Sequence, residues 1–248
     1  MRSAYAFLVA VFLFGFVPKQ QDQIVVYLVG DSTCSIKETN AYPETGWGMP
    51  FVYFFDSTVR IENRARNGRS TKSFMEEGRW DDVMSTLKEG DYVFIQFGHN
   101  DEVPSKVGRY TTPDQFQTNL KKYVADSRSK GAIPILLTPV TRRSFKEGVL
   151  TNTHEEYAQL VRDVATSEEV LLMDMTKITM DYISQLGEEK SKMLFMHLEK
   201  GEHPNYPNGK SDNTHTNALG ARKVAQLVLD QIEASELELK NRVIVGTR

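Results

Sequence analysis

From residue 24 onward, two hydrophobic patterns alternate along the chain. Apolar runs of strand length, interrupted only at Gln96, occupy residues 24–29, 92–97, 133–137 and 170–173, and a shorter, more polar one occupies 59–62. Such runs suit strands buried on both faces. Between them, apolar residues recur at three- and four-residue spacing. Phe74, Trp80, Val83, Met84 and Leu87 form one such stripe and predict a helix over 73–88. Another helix is predicted over 113–129, with Thr112 as its cap, Pro113 in its first turn and Gly131 beyond its end. Further helices are expected over 154–165, 178–186 and 217–239, the last interrupted near Ser235.

Strand–helix alternation through one domain's length specifies an α/β fold, a parallel sheet with helices on both faces. The 248 residues suffice for one domain with a full core. Three polar segments, 36–48, 101–112 and 200–212, break the rhythm. Ligands of open parallel sheets sit outside the carboxyl ends of the strands. These segments are therefore either walls of a site or plain connectors.

The amino terminus changes the picture. Arg2 precedes residues 4–17, which carry no charge. That run falls short of the roughly 20 residues of a membrane span and fits a secretory leader. Residues 1–20 are read as a signal peptide and 21–248 as one domain. The expected location is secreted or periplasmic, without membrane contact once the leader is removed; an uncleaved anchor is the alternative. A net charge of −3 gives no general attraction to nucleic acid. Cys34 is the sole cysteine, so no intrachain disulfide forms.

Candidate chemistry gathers at the strand ends. They run into Gly30-Asp31-Ser32-Thr33, Asn67-Gly68, Gly98-His99-Asn100-Asp101 and Thr138-Pro139, and Asp212-Asn213-Thr214-His215 precedes the last helix. A serine hydroxyl needs a base to act as a nucleophile. His215 can serve Ser32, and Asp212, three residues earlier, can orient the imidazole. The Ser32 and Gly68 backbone N–H groups and the Asn100 amide are candidate oxyanion donors. Singly, each residue has a plainer role: Ser32 as a helix cap, Gly68 and Asn100 as turn residues, Asp212 as an acid at a helix start. Those roles leave their recurrence at successive strand ends unexplained.

The blocks GDST, NGRS, GHND and DNTH resemble those of the SGNH (GDSL-type) hydrolases. The stretches TGWGMPF, NRARNGRSTKSF, FIQFGHND, TPVTRR and DNTHTNALGARKVA are similar to the rhamnogalacturonan acetylesterases within that family. The resemblance runs from Ile24 to Ile232. It implies a three-layer α/β/α, flavodoxin-like fold and serine esterase chemistry by Ser32, His215 and Asp212, without metal or organic cofactor. The implied partner is an acetylated polysaccharide or oligosaccharide. His99 at the second position of the G-x-N-D block departs from the general family pattern. The absence of G-x-S-x-G, with Cys34 in place of the second glycine, argues against the α/β-hydrolases.

Arg64, Arg66, Arg69 and Lys72 crowd Gly68, and Arg142 and Arg143 follow another strand. Arg69 and Arg142 are candidates to grip a pectic carboxylate; alternatively these arginines pair with Glu62, Asp101 or Asp31. Trp47, between two glycines, either stacks on a sugar or packs in the core, and His99 is a further candidate contact. His197, Glu199, Glu202 and His203 match no zinc spacing. Two other functions remain open at this point: a lipid-directed esterase, and a non-catalytic carbohydrate-binding protein on the same fold.

Overall fold

Alternate residues of the first strand, β1 (Ile24–Gly30), enter opposite layers, and that alternation organises the whole molecule. The computed structural model describes residues 23–244 and residue 246, so the expected leader lies outside the described residues. With β1, strands β2 (Val59–Asn63), β3 (Tyr92–Gln96) and β4 (Ile133–Leu137) belong to the main sheet. Two short strands follow, β5 (Phe145–Lys146) and β6 (Val149–Leu150), then β7 (Leu171–Met173), β8 (Phe195–Leu198) and β9 (Lys210–Thr216). The main sheet is parallel, in the order β2-β1-β3-β4-β7. Its order reverses at β1, so the crevice between the ends of β1 and β3 is the expected ligand position of a doubly wound sheet.

Helices cover both faces. They are α1 (Gly48–Phe51), α2 (Thr71–Glu76), α3 (Arg79–Thr86), α4 (Pro113–Ser129), α5 (Glu155–Ser167), α6 (Met175–Ser191) and α7 (Ala218–Ala234). One layer packs Tyr27, Val93, Ile95 and Leu136 against Phe74, Trp80, Leu120, Tyr123 and Val161 of α2–α5. The other packs Val26, Leu28, Phe94 and Ile135 against Phe51, Val228, Leu229 and Ile232. Burial of both sheet faces explains the near-continuous apolar runs. The expected three-layer α/β/α architecture is present.

Two boundaries differ from the sequence pattern. The helix expected over 73–88 is two helices, α2 and α3, separated at Gly78, whose φ is +72°. The helix over 178–186 begins earlier, at Met175, where the Asp174 side chain accepts the Lys177 N–H at 3.2 Å. The last helix breaks where expected, ending at Ala234 beside Ser235, and Leu239 belongs to a separate 3-10 turn. An antiparallel hairpin, β8–β9, was not foreseen.

Candidate active site

Ser32 sits in a tight turn after β1, in which the Asp31 carbonyl accepts the N–H groups of Cys34 and Ser35. No helix begins at Ser32, so it caps none. Asp31, wholly buried, stiffens the turn by accepting the Thr33 N–H at 2.9 Å and hydroxyl at 2.8 Å. Burial pushes the Asp31 carboxyl up despite those bonds.

The hairpin brings the other two residues. One step along β8, Phe195 to Met196, faces four along β9, Thr216 to Asp212. Asn213, Thr214 and His215 therefore bulge from the ladder toward Ser32, as bulges beside functional sites do. The bulge is held at Asn213, whose backbone and side-chain oxygens accept from the Arg143 N–H and guanidinium at 2.8 and 3.1 Å.

His215 Nε2 lies 2.9 Å from Ser32 Oγ, and His215 Nδ1 lies 2.9 Å from Asp212 Oδ2. A carboxylate only accepts, so Nδ1 carries the proton and Nε2 is free to accept from the serine hydroxyl. Asp212 Oδ1 accepts the N–H groups of Thr214 and His215 at 2.8 and 3.0 Å. Partial burial pushes the Asp212 carboxyl up, but the His215 ring and these backbone donors outweigh it and hold it well below the usual carboxylate range. It stays charged opposite the imidazole.

Gly68 lies on the loop after β2, with φ +74°, a conformation that side chains other than glycine rarely adopt. Asn100 follows β3. Its Nδ2 donates to the Arg69 carbonyl at 2.9 Å and its Oδ1 accepts from Lys106 Nζ at 3.0 Å. Lysine can only donate, so the amide has one orientation and one N–H left over.

A residue that sequence reasoning missed ties these parts together. Lys37 Nζ donates to the Ser32 carbonyl at 2.6 Å and to Asn67 Oδ1 at 2.8 Å, and pairs with Glu44 at 2.8 Å. It joins the nucleophile turn to the residue before Gly68. No local pattern around Lys37 signals this.

Four expected substrate contacts are revised. Trp47 is buried; its Nε1 donates to Gln96 at 2.7 Å and its ring packs edge-on against Phe51, leaving no face for a sugar. Gly46 lets this segment pass the nucleophile turn, since a Cβ there would sit 2.1 Å from the Ser35 carbonyl. His99 is buried too, its ring 4.3 Å from that of His154, and burial keeps its imidazole neutral. Arg69 is paired with Glu77 at 2.9 Å, and Arg142 with Glu102 at 2.6 Å. Both charges are already partnered, although with different acids from those anticipated; Arg64 does pair with Glu62. His197 of β8 bonds Asn213, while in the loop before β9 Glu202 accepts the Glu199 N–H and His203 accepts the Asn205 N–H, so these side chains do not converge.

A serine hydrogen-bonded to a histidine, itself hydrogen-bonded to an aspartate, at the switch point of a parallel sheet is the arrangement expected of an ester-cleaving hydrolase. Residues 28–223 match the GDSL-like Lipase/Acylhydrolase family, and the chain belongs to it; the protein is a carboxylic ester hydrolase. It is 40% identical over 222 residues to rhamnogalacturonan acetylesterase RhgT of Bacillus subtilis, covering 89% of this chain and 94% of that protein. It is 35% identical to the probable rhamnogalacturonan acetylesterase YesY of the same organism, covering 88% and 97%. Among solved structures, protein YxiM of Bacillus subtilis superposes with a TM-score of 0.73 at 25% identity, covering 86% of this chain and 56% of that one. A catalytic mutant of an acetylxylan esterase from Geobacillus stearothermophilus shares the fold, with a TM-score of 0.64 at 18% identity, covering 88% and 96%.

Proposed function

We propose that the protein removes acetyl groups from an acetylated plant cell-wall polysaccharide, a rhamnogalacturonan, through an acyl-enzyme on Ser32. The Ser32–His215 contact of 2.9 Å carries the reading, and the two rhamnogalacturonan acetylesterase relatives support the substrate.

The steps follow from the site. Ser32 Oγ attacks the acetyl carbonyl carbon as His215 Nε2 takes the hydroxyl proton. Charge develops on the carbonyl oxygen, where the Ser32 and Gly68 N–H groups and the spare Asn100 N–H donate to it. Asp212 stabilises the imidazolium. The tetrahedral species collapses, the C–O bond to the sugar breaks, and His215 returns its proton to the departing sugar oxygen. Water then attacks the acetyl-serine with His215 as base, releasing acetate and restoring Ser32.

We extend the proposal to location. The charge-free run after Arg2 supports export, residues 1–20 acting as the leader and 21–248 as the mature domain. Against a lipid-directed role stand the charged side chains around the site, among them Lys37, Arg69, Lys106 and Arg109.

Acetate release from acetylated rhamnogalacturonan and acetylated xylan, with Ser32→Ala as control, tests the reading. Release from the rhamnogalacturonan, abolished in the variant, is expected. Release unaffected by Ser32→Ala would overturn the mechanism, and preference for xylan would overturn the substrate.

A further inference from the structure

Beside the candidate oxyanion donors lies a cleft of about 290 Å³, lined by Arg69, Glu77, Lys106 and Arg109. Its wall is the segment after β3, wound tightly on itself. The Val103 carbonyl accepts the Lys106 N–H, and the Lys106 carbonyl accepts those of Arg109 and Tyr110. The base is fixed by Asp101, whose carbonyl accepts the Thr111 N–H and whose buried carboxyl accepts from Thr71 and Thr111. This winding holds two cations in defined places.

Arg109 lays its guanidinium against Gly68, with Nη1 2.9 Å from where a Cβ would stand. Lys106 reaches Asn100 Oδ1 at 3.0 Å. The two charges thus flank the two donors that Ser32 does not itself supply. Arg69 and Arg142 are neutralised by Glu77 and Glu102. Among the described residues, neither Lys106 nor Arg109 has a carboxylate within ion-pairing distance. Partial burial, with Arg109 and Arg142 nearby, lowers the Lys106 ammonium, while Asp31 and Glu102 act on it more weakly in the opposite sense. Like charges held together with no carboxylate paired to either, in a chain of net charge −3, make a local field for an anion.

We infer that Arg109 and Lys106 form a carboxylate subsite, which grips a hexuronate unit of the polymer on the same sugar as the scissile acetyl or on its neighbour. This deepens the proposed function and rests on it. The guanidinium offers two parallel N–H donors to the carboxylate, a geometry that an ammonium cannot match. Lys106 adds charge and links occupancy of the subsite to the orientation of the Asn100 amide. The site would thereby select acetyl esters on an acidic backbone over the same ester on a neutral one.

The test crosses substrate with variant. Acetylated oligogalacturonate and acetylated oligogalactose of equal length differ by the carboxylate alone. The wild-type kcat/KM should favour the uronate by roughly tenfold or more, as expected for a charge-assisted bond, and Arg109→Gln should bring the ratio close to one. Equal rates for the wild type, or equal losses on both substrates in the variant, would overturn the subsite. Binding of unacetylated oligogalacturonate to the Ser32→Ala protein separates this claim from the esterase reading. Weakening of roughly tenfold on adding Arg109→Gln supports the subsite even if acetate release fails; unchanged affinity removes it.

Discussion

Lys37 Nζ lies 2.6 Å from the carbonyl oxygen of Ser32, with only 2% of the lysine side chain exposed. The nucleophile is therefore held by its own backbone as well as by its turn. The same ammonium reaches Asn67, next to Gly68, and Glu44. Lys37→Met would leave the partly buried Glu44 without its cation, a loss of about 1–3 kcal/mol. We expect kcat on p-nitrophenyl acetate to fall together with stability. Adding Glu44→Gln should restore part of the stability and none of the kcat, because the Ser32 carbonyl remains unheld. Denaturant melts and kinetics on both variants check this; kcat recovering in step with stability would reduce Lys37 to a structural role.

Arg143 performs the matching task for the histidine. It is buried, donates to Ser191 Oγ at 3.1 Å and to the Glu188 carbonyl, and holds both oxygens of Asn213 in the bulge. Arg143→Met keeps the bulk and the backbone N–H bond to the Asn213 carbonyl, and removes the guanidinium bond to Asn213 Oδ1. A displacement of an ångström at His215 costs about a hundredfold in rate, so a fall of roughly that size in kcat, with KM little changed, is the expected kinetic result.

Asp212→Asn should act through the tautomer. Oδ1 of Asp212 receives two backbone N–H groups, so the asparagine oxygen would take that place. Its amide nitrogen would then face His215 Nδ1 and force the proton onto Nε2, which could no longer accept from Ser32. A drop of about 10⁴ in kcat is expected, as for the equivalent change in a serine protease. A drop of only a few-fold would show that the carboxylate does not set the tautomer.

Asp101 gives a pH prediction of definite sign. Burial pushes its carboxyl up to about 7, against the hydrogen bonds from Thr71 and Thr111. Unfolded, it titrates near 3.9. Between those values the folded state keeps a proton that the unfolded chain has lost. The contribution is complete below the unfolded value and is lost as pH rises through the folded one, at up to about 1.4 kcal/mol per pH unit. Asp101→Asn mimics the protonated form. Its stability, followed by urea melts from about pH 5 to about pH 8, should fall less steeply than that of the wild type. The buried Asp31 carboxyl, also raised, remains in the variant and contributes a residual slope of the same sign.

The sheet was legible because its strands are buried on both faces, and burial writes itself into sequence as near-continuous apolar runs. The β8–β9 hairpin was not. Lys210–Thr216 contains no aliphatic residue, so no period marks it as a strand. Ser32 could be singled out from its place at a strand end, and Asp212 and His215 from their three-residue spacing ahead of the last helix; the family blocks sharpened all three. The substrate contacts could not be read that way. Whether Arg69, Arg142 or Arg109 keeps a free charge depends on which acids the folded chain brings near, and Glu77 and Glu102 settle that in space rather than in sequence. Trp47 illustrates the same limit: flanking glycines suit an exposed ring and a tightly packed one equally.

The central claim is that Ser32 forms the covalent intermediate. Treatment with a fluorophosphonate, followed by peptide mass spectrometry, should place a single adduct on the peptide containing Ser32, with esterase activity lost in proportion to labelling. Ser32→Ala should take up no label. Labelling at another residue, or full esterase activity in a protein completely labelled at Ser32, would contradict the account.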